Sequence, residues 1–328
     1  MEGELISLFV AVAWTATALF AEVGSKRMGS LTFNTMRMVL SLLFLTATLW
    51  LIMGVPYPRF ADGATWGWML LSGFVGYVLG DYCLMKGYIL IGSRFGQLFM
   101  TLSAPTAAII ARLFLGEKMH PLDLLGMFIT LGGIAMSILS KNETSASGRK
   151  VRLKLPIKGI FFASMAGIGQ GAGLVISKIG LFHYEQSASA AGMVSGFDIP
   201  DGALLSVPIC FSIPFAATLI RTYIGLSGFF LALMLFGDHG LSQLHRAVCD
   251  RKAMWSALGS TILGPFVGVS ASMFAVTLTS AGIAQTIFAL TPILIIAPAA
   301  LFFHQRVTVR EVIGAVISVL GVSLFFIR

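Results

Sequence analysis

Charge is what this sequence has least of. Asp, Glu, Lys and Arg make up 11% of its 328 residues, where a soluble chain carries about 25%. So few charges cannot cover a water-facing surface, and most of the surface must face lipid. Cysteine is scarce too. Cys83, Cys210 and Cys249 lie in or beside apolar runs without CxxC or Cys/His spacing, which argues against a structural disulfide or a zinc site. No basic stretch precedes the first apolar run. Glu2 and Glu4 stand there instead, so that run reads as a retained helix, not a cleaved signal peptide. GxxxxGK[ST], HExxH and GxSxG are all missing, as is any paired Asp-rich motif. The five histidines (His120, His183, His239, His245, His304) have no visible Asp or Cys partners, so no catalytic centre and no cofactor are expected. The net charge of +8 does not point to nucleic acid, because the basic residues flank apolar runs and leave no solvated basic face.

What is abundant is apolar. Hydrophobic residues are 57% of the chain and the mean hydropathy is +0.90. Runs near 5–23, 32–53, 65–88, 95–114, 122–140, 157–179, 214–237, 254–276, 284–303 and 310–327 each approach the roughly 20 residues a helix needs to cross a bilayer. They do not alternate in polarity, which excludes a barrel. The expected fold class is all-α integral membrane, with ten transmembrane helices.

The chain also repeats itself. A shift of 188 residues places Gly76 and Gly80 on Gly264 and Gly268, Gln97 on Gln285, and Leu113-Phe114 on Leu301-Phe302. It also places Asp123 on Glu311, Gly126 on Gly314, and Gly133 on Gly321. A shift of 152 puts Ser25-Lys26 on Ser177-Lys178, and a shift of 184 puts Arg37 on Arg221. Five helices per repeat is an odd number, so the second copy enters the membrane inverted, as in many secondary transporters. The expected units are 1–140, a basic linker at 141–156, and 157–328. The second unit carries an inserted segment at about 181–213, expected to be a partly helical lid over the mouth between the halves. From Leu204 to Gly237 the chain is largely apolar, longer than one crossing needs, so a break is expected near Pro208–Pro214.

Phe114-Leu-Gly-Glu117 followed by Gly126 and Gly133, Trp14 in the first helix, and Arg37 early in the second resemble the EamA-like, ten-helix members of the drug/metabolite transporter superfamily. Gly80-Asp81-Tyr82 with Gly92-Ser93-Arg94 resembles a subgroup of that family. The second copy departs from the pattern, with His304-Gln305 where a Glu is expected. The resemblance implies a transport role for a small organic solute, a metabolite or drug. The inverted repeat suits alternating access, and Asp81, a lone acid at depth, could bind a coupling proton or a cationic solute. The alternative class is a polytopic membrane enzyme acting on a lipid-soluble substrate. No pattern specifies an oligomeric state.

Ionisable and amide side chains at membrane depth are candidates for the solute site. These are Asp81, Arg37, Arg221, Gln97, Gln170 and Gln285, with Trp14 as a mid-helix aromatic wall. Each has a structural reading beside the functional one. Asp81 could pair with Arg94 or Lys86, the arginines could snorkel to the interface, and the glutamines could hold helices together. Glu22 and Lys26 are spaced for an i,i+4 pair. The run Gly167–Gly173 suits close helix contact better than a nucleotide loop.

Ten helices put both termini on one side of what is expected to be the cell membrane. Sixteen Lys and Arg fall on the opposite side and six on the terminal side. The positive-inside rule therefore places the termini outside, whereas the resembling family has them in the cytoplasm.

Overall fold

The structure is a computed structural model that describes residues 1–139, 156–193, 195–236, 240–295, 298 and 309–326. Every regular element among these residues is helical, as lipid demands of a backbone with no outside hydrogen-bond partners. Helix α1 (Glu2–Met28) turns at Gly29, whose φ of 80° suits glycine, into α2 (Ser30–Met53). Helix α3 (Gly63–Gly73) runs through a π-helical stretch, Phe74–Asp81, into α4 (Tyr82–Met100). Gly92, with φ 79°, breaks α4, so Gly63–Ser93 is one long rod and Phe95–Phe114 the next, the latter including α5 (Ser103–Phe114).

Helix α6 spans Pro121–Leu139, α7 Ile157–Ala190 and α8 Ile209–Phe236. The short α9 (Gly240–Cys249) leads to α10 (Arg251–Thr261), a second π-helical stretch (Ile262–Phe266) and α11 (Val267–Leu278). Then come α12 (Ala281–Phe288), α13 (Thr291–Leu294) and α14 (Val309–Ser323).

Among the described residues seven helices are long and apolar enough to cross a membrane, and three shorter apolar ones occupy Pro121–Met136, Ala281–Leu294 and Val312–Ser323. These three fall where the fifth, ninth and tenth crossings are expected, and each adjoins residues outside the described set. The basic linker residues 141–155, Leu301-Phe302, His304-Gln305 and the Glu311 side chain also lie outside it.

Packing pairs helices across the molecule. α1 lies antiparallel along the 251–278 rod: Gly3 abuts Leu278 at one end and Gly259 abuts Phe20 at the other. α7 lies the same way along the 63–93 rod, with Gly159 at Ile91 and Gly180 at Met69. α2 packs on α8, α5 on α12, and α6 on α14.

The 188-residue shift maps local devices as well as letters. Asp62 caps α3 by accepting from the Thr65 N–H, and Asp250 caps α10 by accepting from Ala253, at the shifted position. Both carboxyls are held below the usual aspartate range, each mainly by the hydrogen bonds of its cap. The two π-helical stretches start at Phe74 and Ile262, again 188 apart. At the α6–α14 contact the exchange is reciprocal. Thr130 Oγ1 donates to the Ser318 carbonyl at 3.4 Å, and Ser318 Oγ donates to the Thr130 carbonyl at 3.1 Å. A Cβ on Gly126 would stand 2.8 Å from the Gly321 carbonyl oxygen, and one on Gly321 would stand 2.8 Å from that of Gly126. Only glycines admit that approach.

The inserted segment is partly a continuation of α7, which runs on to Ala190. Tyr184 Oη and Ser187 Oγ donate to the carbonyls of Arg59 and Phe60, both at 2.6 Å. Arg59 Nη1 donates to the Asp201 carbonyl at 2.6 Å, and the Leu204 and Leu205 N–H groups donate to the Leu51 carbonyl. The segment thus sits on the connection between α2 and α3. α8 begins directly after Pro208, and Pro214 falls inside it. The break is therefore at the first proline only.

Candidate functional site: a central cavity between two polar clusters

The cavity lies between the α1, 63–93, 251–278 and α12 elements, and its empty space, open mouth included, is about 760 Å³. Trp14, Arg37, Asp81, Gln97, Gln170 and Gln285 all line it. Arg221 does not. It lies behind Tyr77, its guanidinium 4.6 Å from the centre of that ring.

Asp81 ends the first π-helical stretch. Its Oδ1 accepts from Gln170 Nε2 at 2.7 Å, and its Oδ2 from Arg37 Nη1 at 3.4 Å. Gln170 Nε2 also donates to the Gly76 carbonyl at 3.0 Å. Arg37 Nη1 donates to Asn34 Oδ1 at 3.0 Å, and Asn34 Nδ2 reaches the Asp81 carbonyl at 3.4 Å. The carboxylate thus has an ion partner 44 positions away in sequence. The pairing with a near neighbour does not form for Lys86, whose ammonium lies over the Tyr82 ring at 5.9 Å. The Arg94 side chain lies outside the described residues.

Neither arginine snorkels: Arg37 is 4% exposed and Arg221 3%. They are placed alike. A Cβ on Gly264 would stand 3.1 Å from Arg37 Nη2, and one on Gly76 2.8 Å from Arg221 Nη2, so each guanidinium lies close against the glycine opposite it. Gln97 Nε2 donates to Tyr88 Oη. Trp14 packs on Phe288 with ring centres 4.9 Å apart. Tyr77 lines the cavity while Tyr82 packs edge-on to Phe162. In the glycine run, a Cβ on Gly173 would fall 3.0 Å from Gly76 Cα and one on Gly171 2.4 Å from the Ser103 carbonyl. These residues serve helix approach.

Two polar clusters lie toward opposite ends of α1. At one face Glu22 pairs with Lys26 at 2.6 Å and accepts from the N–H and hydroxyl of Ser93, which opens the helix after Gly92. Arg27 pairs with Asp250 there at 2.8 Å. At the other face Glu117 pairs with Lys178 at 2.7 Å and accepts from the Ala281 N–H at 3.1 Å, at the start of α12. Lys178 also donates to the Thr279 carbonyl, and Glu4 accepts from the Thr279 hydroxyl. Ser93 and Ala281 are 188 apart, and Lys26 and Lys178 are 152 apart. Each face therefore has a lysine–glutamate pair whose carboxylate sits on a helix N-terminus, where the backbone N–H groups and helix dipole favour it. The two carboxylates come from different places in the chain, so no letter match reveals the correspondence. The cavity's α1 residues run from Trp14 to Ala21, so it occupies the part of the molecule nearer the Glu22 face.

Asn34, Tyr88, Ser103 and Thr291 join the site without a distinguishing sequence signal. Among the described residues no three His, Cys, Asp or Glu side chains gather as a metal site.

Long apolar helices that bury paired charges and amides around a central cavity define a multi-pass membrane protein with a polar interior site. The chain belongs to the EamA-like transporter family, which it matches over residues 1–139 and 202–327. The members of that family transport small solutes across membranes. A solved structure titled "Crystal structure of protein" shares the fold, with a TM-score of 0.67 at 14% identity, over 99% of this chain and 96% of that one. The comparison with curated proteins finds no match.

Proposed function

We propose that the protein is a secondary transporter that moves a small organic metabolite or drug across the cell membrane by alternating access, built as ten helices in two inverted five-helix repeats. The observation that carries this reading is the matched pair of lysine–glutamate latches, one at each end of a central polar cavity. An inverted repeat gives both faces the same hinge chemistry, so that one face can open as the other closes. The matched helix caps, π-helical stretches and reciprocal α6–α14 contact support the repeat. Trp14, Gln97, Gln170, Gln285, Asp81 and Arg37 hold the solute in the cavity, with Arg221 behind them. Asp81 is the candidate proton carrier.

Purified protein in lipid vesicles tests the reading. Vesicles carrying it should accumulate at least one radiolabelled small solute over protein-free vesicles, and an imposed proton gradient should change the rate. Equal uptake with and without protein across a broad panel of metabolites rules it out.

The segment at 181–213 acts as a lid on the Glu117 face, clasped to the α2–α3 connection. Replacing residues 195–203 by a Gly-Ser linker should change transport kinetics while the protein still inserts. Unchanged kinetics would dispose of the lid.

The depth of Arg37 and Arg221 removes both from the orientation count, which becomes fifteen against five with the same sign. The charge rule still places the termini outside. A fluorescent protein fused after Arg328 should then stay dark; bright cells would show the orientation usual in the family.

A further inference from the structure

The charges buried around the cavity do not balance. Among the described residues two guanidiniums, Arg37 and Arg221, face one carboxylate, Asp81, which is engaged by Arg37 and Gln170. Among the described residues Arg221 has no carboxylate within ion-pair distance; its contacts are the Tyr77 ring and Met273 Sδ at 3.7 Å. A net positive charge is thus left at membrane depth, where lone charges are costly and tend to mark a ligand or ion path.

The open hydrogen-bonding positions have the same sign. Tyr77 Oη, Arg37 Nε and Arg221 Nε are buried and have no partner among the described residues. Tyr77, only 2% exposed, and Arg37 both line the cavity. Each of these three groups carries a hydrogen to donate. Buried donors are normally satisfied; Arg221 Nε lies off the cavity, while an acceptor bearing negative charge in the cavity would satisfy the Tyr77 hydroxyl and Arg37. One surplus cation calls for one anionic charge. The remaining wall supplies Trp14, Leu84, Met85, Val269 and Phe288 for an apolar body, with the Gln285 amide beside them.

We propose that the transported solute is an organic monoanion, a carboxylate with an apolar or aromatic body, whose oxygens meet the Tyr77 hydroxyl and Arg37 while Arg221 balances its charge through the Tyr77 ring. This rests on the transporter reading above and names the substrate class for the same cavity. A monocarboxylate fits the charge balance better than a dianionic phosphate ester, which would leave an excess negative charge.

The test uses the purified full-length protein with phenylacetate, hexanoate and benzoate, their amides, the amines phenethylamine and hexylamine, and phenyl phosphate. Thermal stabilisation in detergent and uptake by vesicles are both read. At least one carboxylate should stabilise the protein and be taken up, while its amide, amine and phosphate counterparts are much weaker. Tyr77→Phe, a small change at a buried ring, should weaken carboxylate binding roughly tenfold. Arg221→Gln should abolish the preference for carboxylate over amide, and Arg221→Lys should retain part of it; if Arg221→Gln does not fold, the Tyr77→Phe and Arg221→Lys results decide. Amides or amines bound as well as carboxylates, phenyl phosphate bound better than carboxylates, or Tyr77→Phe without effect, would overturn the assignment. Uptake of amines or amides alone would leave the transporter standing without the anion. No uptake or stabilisation by any compound would count against both.

Discussion

Asp81→Ala should give a protein that inserts poorly, melts early and does not transport. The substitution removes the carboxylate that Arg37 meets and an acceptor of the Gln170 amide. Breaking a buried ion pair from one side typically costs roughly 3–5 kcal/mol, because the surviving charge is left without a partner. The pair here is long, at 3.4 Å, and Asn34 still accepts from Arg37, so the low end of that range applies. Melting of the detergent-solubilised protein measures the loss. The double variant Asp81→Ala/Arg37→Leu should recover most of the stability, since it removes both charges together, but transport should not return. Neighbouring substitutions of this kind are non-additive when they share one interaction. A single variant as stable as the parent would show that water or a lipid headgroup, not Asp81, satisfies Arg37. Asp81→Asn separates the two roles, because it keeps an acceptor for Gln170 and removes the charge. It should fold better than the alanine variant and, if Asp81 carries the coupled proton, lose the response of transport to a proton gradient.

The sequence carried the membrane environment, the family and much of the helix layout, for physical reasons that can be traced. Apolar runs separated by short polar breaks report lipid-facing helices directly, because the bilayer penalises any other arrangement. Amides and charges inside such runs must turn from lipid, so Gln97, Gln170, Gln285, Arg37 and Asp81 could be placed inside the bundle. That logic locates a side chain; it does not identify its partner. For Asp81 the chain offers Arg94 and Lys86 as candidate partners beside a solute role, yet the partner it meets, Arg37, comes from a helix 44 residues earlier. The π-helical stretches at Phe74–Asp81 and Ile262–Phe266 have no residue signature beyond Gly76 and Gly80 within the first and Gly264-Pro265 within the second. The caps Asp62 and Asp250 were readable in principle, being identical residues at the repeat shift, but aspartate is common in connections and two of them stand out only once each is seen accepting from a helix N–H. Arg221 shows the limit most clearly. Its position was matched to Arg37, while its place behind an aromatic ring depends on packing that no spacing encodes.

The two latches should work against each other. In this structure both are formed, with Glu22 on Ser93 and Glu117 on Ala281. The Glu117–Lys178 pair is the more buried, its side chains 19% and 22% exposed against 27% and 52% for Glu22–Lys26. The proposed alternating access requires that each open in turn, so loosening one favours opening of its own face. Glu117→Gln keeps the shape and removes the charge that binds Lys178 and the α12 N-terminus; Glu22→Gln does the same at the opposite face. Hydrogen bonds to charged groups contribute roughly 1.5–3 kcal/mol, and partial exposure brings the net shift toward the low end, about tenfold in the equilibrium between the two open states. Ala21 lines the cavity next to Glu22, so Ala21→Cys reports access from that face, in a chain carrying Cys83→Ser, Cys210→Ser and Cys249→Ser. Glu22→Gln should speed labelling of this cysteine by a membrane-impermeant maleimide, and Glu117→Gln should slow it. The solute should protect the cysteine in both. If both variants speed labelling, or neither changes it, the carboxylates only hold helix ends together and the faces are gated elsewhere. Opposite signs from two chemically identical substitutions, at positions the chain sequence does not align, are an outcome that a general loss of stability cannot produce.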